Sequence, residues 1–256
     1  MCEKEIFLKM SENTDKTRKP RRTKATIERE VLNAASSLIE EVGFAKVTLT
    51  GIAKRAQIEP PVFYNRYANL EELFEQYVHK YDYWLGNIAE MMPSGLSDED
   101  AFKWIFKNLI IALYKNKGMQ QLLIWELSDD NPITRRTSGL RELVNEPLIR
   151  LLEQRFNGSG IDMNVISALM ISGIYYLILH RNISKFCDID FSTKKGKLRL
   201  NEGVDQLVSI LFAELDKQKE KTEIANRFRA EGISEDIIIR CMNPARTESS
   251  TTEPEQ

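Results

Sequence analysis

The chain has 256 residues, 42% of them hydrophobic and 29% charged, and a formal net charge of −2. This is the composition of a globular protein with enough apolar side chains for a sizeable core. No run approaches the roughly 18 apolar residues of a membrane span. Cys2, Cys187 and Cys241 are scattered, and His79 and His180 are isolated. We therefore expect a reduced, cytoplasmic protein with no disulfide, metal ion, other cofactor or membrane segment.

The charge is distributed unevenly along the chain. Six basic residues and no acidic one lie between Lys16 and Lys24. Residues 16–69 hold eleven basic and five acidic residues, a net charge of +6, so the remaining residues carry −8. A basic N-terminal segment on an acidic body suggests that this end contacts DNA. A solvated basic tail would have the same composition, so the charge alone leaves both readings open.

The N-terminal region shows the periodicity of two helices. Apolar residues at three- and four-residue spacing predict a first helix over about 25–42, ended by Gly43. Thr48 is typical of an N-cap, and it precedes a short second helix over about 49–56.

Two further helices follow in the predicted order. Proline tolerates the first helical turn, so a third short helix is expected over 61–67. A continuous fourth helix is expected over about 70–92. Tyr77, Tyr81 and Trp84 have three- and four-residue spacing on it, and we expect them to line its junction with the body of the protein.

The rest of the chain also has helical periodicity. Polar, glycine and proline breaks separate helices expected at about 97–116, 118–128, 132–156, 162–183 and 199–220. A basic loop is expected over 184–198, a helical hairpin over 222–242 and a disordered polar tail after 243. The helix over 162–183 is apolar nearly all round, which predicts burial on more than one face. The predicted fold class is all-α.

Two short helices joined by a tight turn, after a first helix, form the helix-turn-helix pattern. The pattern needs a small residue where the helices cross, which Ala53 supplies, and an apolar residue in the turn, which Ile58 supplies. Phe63 and Tyr67 are spaced to face inward from the third helix. The positions left facing outward are Val62, Tyr64, Asn65 and Arg66.

The stretch over 48–67, TLTGIAKRAQIEPPVFYNRY, followed by EELF at 71–74, resembles the tetracycline-repressor (TetR) family of DNA-binding regulators. The family pattern is T-x-x-x-I-A-x-x-A-G-V, three variable residues, T-[LF]-Y-x-[HR]-F and K-E-x-L. The resemblance covers residues 24–78. It departs from the pattern at Gln57, where the family prefers glycine, and at Val62 and Leu70, where phosphate-binding side chains are lost. The basic arm is expected to compensate for lost phosphate contacts.

The resemblance implies a homodimer that binds double-stranded DNA. Together with side-chain chemistry, it assigns the DNA contacts to Lys19, Arg21, Arg22, Lys24, Thr48, Thr50, Lys54, Pro61, Val62, Tyr64, Asn65 and Arg66. Tyr64 and Arg66 suit phosphates, and Asn65 suits the edge of an adenine. Each of these side chains would also suit an exposed surface with no partner.

The resemblance further implies a C-terminal helical domain with a ligand pocket and a dimer made by the last two helices. The expected division is an arm over 1–23, a helix-turn-helix domain over 24–70, an effector-binding and dimerisation domain over 71–221 and an extension over 222–256. The pocket candidates, which would equally suit a plain core, are Phe102, Phe106, Tyr114, Trp125, Met170 and Tyr175. The dimer candidates, which would also suit the core of one monomer, are Ser172, Tyr176, Leu207 and Leu211. Glu126, in an apolar run, is expected to pair with an arginine such as Arg135 or to face a ligand.

We therefore predict a transcriptional regulator, expected to be a repressor, that binds a palindromic operator as a dimer. A largely apolar small-molecule effector is expected to release it. An enzyme is not expected, because the sequence has no phosphate loop, nucleophile elbow or clustered His and Cys. The alternative is a helical interaction protein with weakened DNA recognition that acts through protein contacts.

Overall fold

The computed structural model describes residues 22–242, except for the side chain of Leu85. Within this range the chain forms helices and loops, with one isolated β-bridge between Phe186 and Ile189. The predicted all-α class is confirmed. The expected DNA contacts Lys19 and Arg21, and the polar tail after 243, lie outside the described residues.

Three helices form the N-terminal domain: α1 (Lys24–Val42), α2 (Leu49–Ala56) and α3 (Pro60–Tyr64). α1 ends at Gly43, whose φ of +79° is open to glycine at little cost. α1 and α2 pack through the apolar stripes that their spacing predicts, and α2 has the predicted bounds. The helix-turn-helix arrangement is therefore present.

α3 begins at Pro60 and ends at Tyr64, so the expectation that it runs over 61–67 was wrong at both ends. At its end the Arg66 amide bonds the Phe63 carbonyl, 2.9 Å away, rather than that of Val62. The guanidinium of Arg66 donates a hydrogen bond to the carbonyl of Val62 instead, also at 2.9 Å. The side chain thus satisfies the carbonyl that a longer helix would have paired, and the helix stops.

The expected continuous helix over 70–92 is broken. α4 (Leu70–Val78) passes into a 3-10 turn at His79–Tyr81, and α5 (Trp84–Glu90) begins after it. Asp82 lies in the break, where its buried carboxylate accepts a hydrogen bond from Nδ1 of His79 at 2.9 Å. This local bond competes with regular helix, and apolar spacing on either side of the break does not reveal it.

The body contains the remaining helices, which are α6 (Asp98–Lys115), α7 (Lys117–Ser128), α8 (Pro132–Phe156), α9 (Met163–His180), α10 (Lys194–Ala230) and α11 (Glu235–Met242). α6, α7, α8 and α9 match the predicted helices within a few residues. α10 is longer than predicted at both ends, so it takes in part of the expected loop and the expected domain boundary at 221/222. Its last turns and α11 form a hairpin through Gly232.

α6 and α10 run antiparallel and share an aromatic core. The Phe102 ring packs edge-on against Phe106 at 5.5 Å and against Phe212 at 6.1 Å. Phe156 of α8 closes the cluster, 5.3 Å from Phe212. At the other end of α6, the Tyr114 hydroxyl donates to the carbonyl of Phe191, ahead of α10. These contacts fix the direction of α10 along the body.

α9 is largely uncovered within one chain, so the expectation that it is buried on more than one face stays a prediction that depends on a second copy. Its buried residues are Met163, Ile174 and Ile178. Its most exposed apolar side chains are Val165, Leu169 and Tyr176. Among the described helices, α9 is the one long and apolar enough to cross a membrane by length and composition, and 22% of that window is buried. A single helix of this kind is weak evidence for a membrane span.

The body meets the N-terminal domain through aromatic contacts of α7. The ring of Trp125 stacks on Phe44 with a centroid distance of 4.3 Å and an interplanar angle of 9°. At the start of α7, Gly118 lies against the hydroxyls of Tyr77 and Tyr81, which are 3.3 Å apart. Burial, followed by the hydrogen bond to Tyr77, raises the pKa of the Tyr81 hydroxyl, so Tyr81 remains neutral.

The close approach at Gly118 predicts that Gly118→Ala destabilises the protein. A Cβ atom there would lie 2.5 Å from the Tyr77 hydroxyl and closer still to that of Tyr81. Overpacking of this kind costs about 1–3 kcal/mol, measurable by urea unfolding. Gly139→Ala on α8 is the control, because its Cβ would meet no atom within 4 Å. It should stabilise the protein by up to about 1 kcal/mol. Equal effects of the two substitutions would contradict the argument.

Candidate nucleic-acid interface

The first face of the interface is the N-terminal half of α2. The Thr48 hydroxyl accepts the amide of Gly51 at 3.1 Å, which confirms Thr48 as the N-cap. Thr50 and Lys54 are exposed and lie one helical turn apart on the same face. Ala53 is buried, as expected of the small residue where the two helices cross. α2 therefore presents polar side chains and an N-terminus, both of which can meet a phosphate.

The turn after α2 holds its shape without the glycine that the family pattern prefers. Gln57 adopts the left-handed conformation, with φ of 53° and ψ of 49°. The amide of Ile58 donates to the carbonyl of Ala53 at 3.0 Å, which closes the helix end. A residue with a Cβ pays about 1–2 kcal/mol for this conformation.

Arg22 supplies a hydrogen-bonded cap to the same turn. Its guanidinium donates to the carbonyls of Ala56 at 2.9 Å and Gln57 at 3.0 Å. The same group bonds the carboxylate of Glu30 at 2.7 Å. A positive charge at a helix C-terminus satisfies terminal carbonyls and complements the helix dipole. In this conformation the guanidinium of Arg22 is hydrogen-bonded to the backbone of the turn. Its expected contact with DNA stays a prediction.

The second face of the interface is α3. Phe63 and Tyr67 are buried, with ring centroids 5.2 Å apart, as their spacing predicts. Tyr64 is 59% exposed, and Pro61 and Asn65 are exposed beside it. A short helix that anchors one side on aromatic rings and exposes the other is suited to the major groove.

Three other expected DNA contacts differ in how available they are. Lys24 is exposed at the first residue of α1. Val62 is half-buried, and so is Arg66, whose guanidinium is bonded to the Val62 carbonyl. Arg66 would have to give up that bond to reach a phosphate.

The six side chains expected around an effector occupy separate places. Phe102 and Phe106 belong to the aromatic core of α6, and Trp125 belongs to the junction with Phe44. Tyr114 is tied by its hydroxyl to the backbone before α10. Met170 lines a groove between α9 and α10. Tyr175 lies near a buried ion pair.

That ion pair joins α7 and α8 inside the body. Glu126 and Arg141 are bonded through both carboxylate oxygens, with side chains only 10% and 12% exposed. The hydroxyl of Thr137 donates to Glu126 at 2.8 Å. Burial disfavours the charged form of Arg141. The hydrogen bond and the charge of Glu126 outweigh this effect, so the pKa of Arg141 is raised. Burial also raises the pKa of Tyr175.

The expectation that Glu126 pairs with an arginine is confirmed, but the arginine is Arg141 and the example named, Arg135, was wrong. Arg135 bonds the exposed carboxylate of Asp130 instead, because the two lie on the same outward side of the α7–α8 connection. Arg141 is six residues further along α8 and on its buried side. Sequence reasoning missed Arg141, and the signal that could have found it is a lone arginine on the inward stripe of α8.

The groove between α9 and α10 has a volume of about 370 Å³. Its walls are almost wholly apolar, and Met170 and Phe191 are among them. Gly173 and Gly203 line it from the two helices, and a Cβ atom on either would meet nothing within 4 Å. Arg199 is the charged residue of its lining.

The expected dimer residues lie on the α9 and α10 surfaces. Ser172 and Tyr176 are exposed on α9, and Leu207 is 51% exposed on α10. Leu211 is half-buried and packs against the core.

Comparison with known proteins agrees with this architecture. The family model of bacterial regulatory proteins of the tetR family matches residues 31–77. None of the curated proteins matches the sequence.

Solved structures similar to the chain share its fold. A TetR-like transcriptional regulator from Rhodococcus sp. RHA1 has 16% identity and a TM-score of 0.55, over 75% of this chain and 99% of that protein. Salmonella enterica GusR has 13% identity and a TM-score of 0.54, over 74% and 97%. A transcriptional regulator from Aquifex aeolicus has 16% identity and a TM-score of 0.53, over 72% and 99%.

The matched residues include the helix-turn-helix, and the helices that follow it form an all-helical body. Residues 31–77 are therefore similar to the N-terminal domain of regulatory proteins of the tetR family.

The left-handed turn predicts that Gln57→Gly stabilises the protein. Glycine adopts this conformation at no steric cost, and its greater freedom in the unfolded chain offsets part of the gain. We expect a net stabilisation of about 0.5–1 kcal/mol, seen as a higher melting temperature. The Arg22 bond to the backbone carbonyl is retained. Gln57→Ala keeps the Cβ atom, so it should give no such gain, and a gain of the same size with alanine would refute the explanation.

Proposed function

We propose that this regulator is a repressor that binds a palindromic operator as a homodimer and is released by a largely apolar small molecule. It is proposed to act in the cytoplasm and to have no enzymatic activity. The observation that carries the proposal is the pairing of two surfaces on one chain. One is the exposed polar face of α2 and α3, and the other is the uncovered apolar face of α9 and α10.

The dimer follows from the α9–α10 face. Val165, Leu169 and Tyr176 recur along one side of α9, and Leu207 and Ile210 are 51% and 64% exposed on α10. Monomeric soluble proteins rarely leave a contiguous apolar surface of this kind open to water. Two copies of the pair, related by a two-fold axis, would bury it as a four-helix bundle. In this arrangement a second copy, rather than lipid, covers α9.

The palindrome follows from the dimer. Each copy carries one recognition helix, so a two-fold dimer presents the same side chains to two half-sites of opposite orientation. Successive major grooves on one side of the duplex are about 34–36 Å apart. Repression is proposed because a dimer seated on an operator blocks whatever else must occupy that DNA.

Release by an effector follows from the contacts of α7. α7 reaches the N-terminal domain through the Phe44–Trp125 stack and through the contact of Gly118 with two tyrosines. A molecule that binds better when α7 is displaced would lower DNA affinity, because the two equilibria are linked. The aromatic and aliphatic side chains of the body favour an apolar effector.

Selection from random duplexes tests the DNA half of the proposal. We expect two inverted half-sites, with Asn65→Ala relaxing the preference at one base pair per half-site and costing about 1–3 kcal/mol there. Lys54→Ala is the matched control on α2, because loss of a charge should weaken all duplexes alike. If selection yields no palindrome, the rival reading, a helical protein that acts through protein contacts, is favoured.

Sedimentation of surface variants tests the dimer. Leu207→Glu should convert the dimer to a monomer, because the charge would be buried without a partner. Leu127→Glu changes a more exposed leucine, at 84% exposure on α7, and should leave the dimer intact. A wild-type monomer at micromolar concentration, or equal behaviour of both variants, would contradict the α9–α10 interface.

A further inference from the structure

Arg136 of α8 lies beside the break between α4 and α5. Its Nη1 atom is 3.4 Å from Oδ2 of Asp82, in the break. Its Nε atom is 3.6 Å from Oε1 of Glu75, which belongs to α4. Both distances are long for charge-assisted hydrogen bonds, which are usually about 2.7–2.9 Å. The guanidinium therefore lies between the two carboxylates, with a long hydrogen bond to Asp82 and a longer ion-pair contact with Glu75.

Several polar atoms of this contact are buried and lack a hydrogen-bond partner among residues 22–242. They are Nε and Nη2 of Arg136 and Oδ1 of Asp82, whose side chain is only 8% exposed. Buried polar groups are normally paired, because an unmade bond costs free energy. Five residues further along the same helix, Arg141 makes a complete two-point pair with Glu126. Arg136 makes no such two-point pair with either of its carboxylates.

The two carboxylates lie on either side of the end of α4. Glu75 moves with α4 and the helix-turn-helix domain, whereas Asp82 follows the 3-10 turn that interrupts the helix. Arg136 belongs to α8, which is part of the body. A shift of α4 relative to α8 by less than 1 Å would bring the guanidinium to hydrogen-bonding distance of one carboxylate and away from the other. Elements with two close-lying arrangements of this kind respond to small displacements.

We propose that Arg136 is a positioning residue for DNA binding, which sets the orientation of α4 by exchanging between Asp82 and Glu75. One pairing belongs to the DNA-bound orientation of α4 and the other to the orientation that DNA does not select. Asp82 and Glu75 then act in opposition. The inference requires that the chain binds DNA, and it is independent of which effector the body recognises.

The test is the affinity of full-length variants for the duplex that the wild-type protein selects, measured by fluorescence anisotropy. Asp82→Asn and Glu75→Gln each remove one negative charge, so long-range repulsion from DNA changes in the same direction in both. The proposal instead expects opposite shifts of the dissociation constant, each of about fivefold, the lower range of typical coupling between sites. In an Arg136→Gln background both shifts should fall below twofold. Arg135→Gln is the control, since Arg135 is the next residue of α8 and pairs only with exposed Asp130.

The outcomes separate cleanly. Shifts of the same sign, or shifts that persist in the Arg136→Gln background, would overturn the proposal and leave the pair a plain structural contact. If Asp82→Asn lowers the melting temperature too far for binding to be measured, Glu75→Gln decides, because Glu75 is 49% exposed and its loss should not unfold the chain. A Glu75→Gln shift that disappears with Arg136→Gln supports the proposal, and no shift overturns it. Failure of the wild-type protein to select any duplex would count against the proposed function instead.

Discussion

The stacking of Trp125 on Phe44 is the contact on which the rest of the molecule depends, because it joins the body to the DNA-binding domain. The two rings lie nearly parallel at 4.3 Å, and Phe74 packs edge-on against Trp125 at 5.7 Å. This contact packs α7 against the N-terminal domain. Gly118 allows the start of α7 to approach Tyr77 in α4 and Tyr81 in the 3-10 turn that follows it. A dry, close-packed contact of this kind does not deform continuously. The orientation of the recognition helix is therefore tied to the position of α7.

The polar contact at Arg136 has the opposite character, and it involves Glu75, the residue of α4 that directly follows Phe74. Aromatic rings in contact lose attraction as soon as they separate, whereas a guanidinium between two carboxylates can exchange one partner for the other. The N-terminal domain is thus held by one contact that resists displacement and one that has two alternatives. The 3-10 turn between α4 and α5 supplies the local freedom that a continuous helix of this length would not.

Most helices could be predicted from the sequence, because caps and apolar spacing are local signals. α2 begins after the Thr48 cap and α8 after the Asn131 cap, and both have the predicted bounds. The end of α3, the break at Asp82 and the partner of Glu126 could not be predicted. Each depends on a side chain bonding to a group whose position is set by folding, namely the Val62 carbonyl, the His79 ring and Arg141. The exposed face of α3 could be predicted, because the buried rings of Phe63 and Tyr67 determine which side of the helix faces inward.

The exposure of α9 connects the body with the spacing of the recognition helices. It is the most apolar of the long helices, yet few of its residues are buried within the chain. Burial of its face in water requires another apolar surface, and the open space at Gly173 and Gly203 permits close approach of a second backbone. In a two-fold dimer this interface determines the relative position of the two bodies. α4 determines the orientation of each recognition helix relative to its own body. If the proposed dimer forms and binds DNA, a change at either place would alter the same distance between recognition helices, and DNA affinity would depend on both. The free energy of dimer packing and the small energy differences at Arg136 would then both act on the distance between the recognition helices. Under this condition a weak local exchange at Arg136 could change DNA binding at a distance.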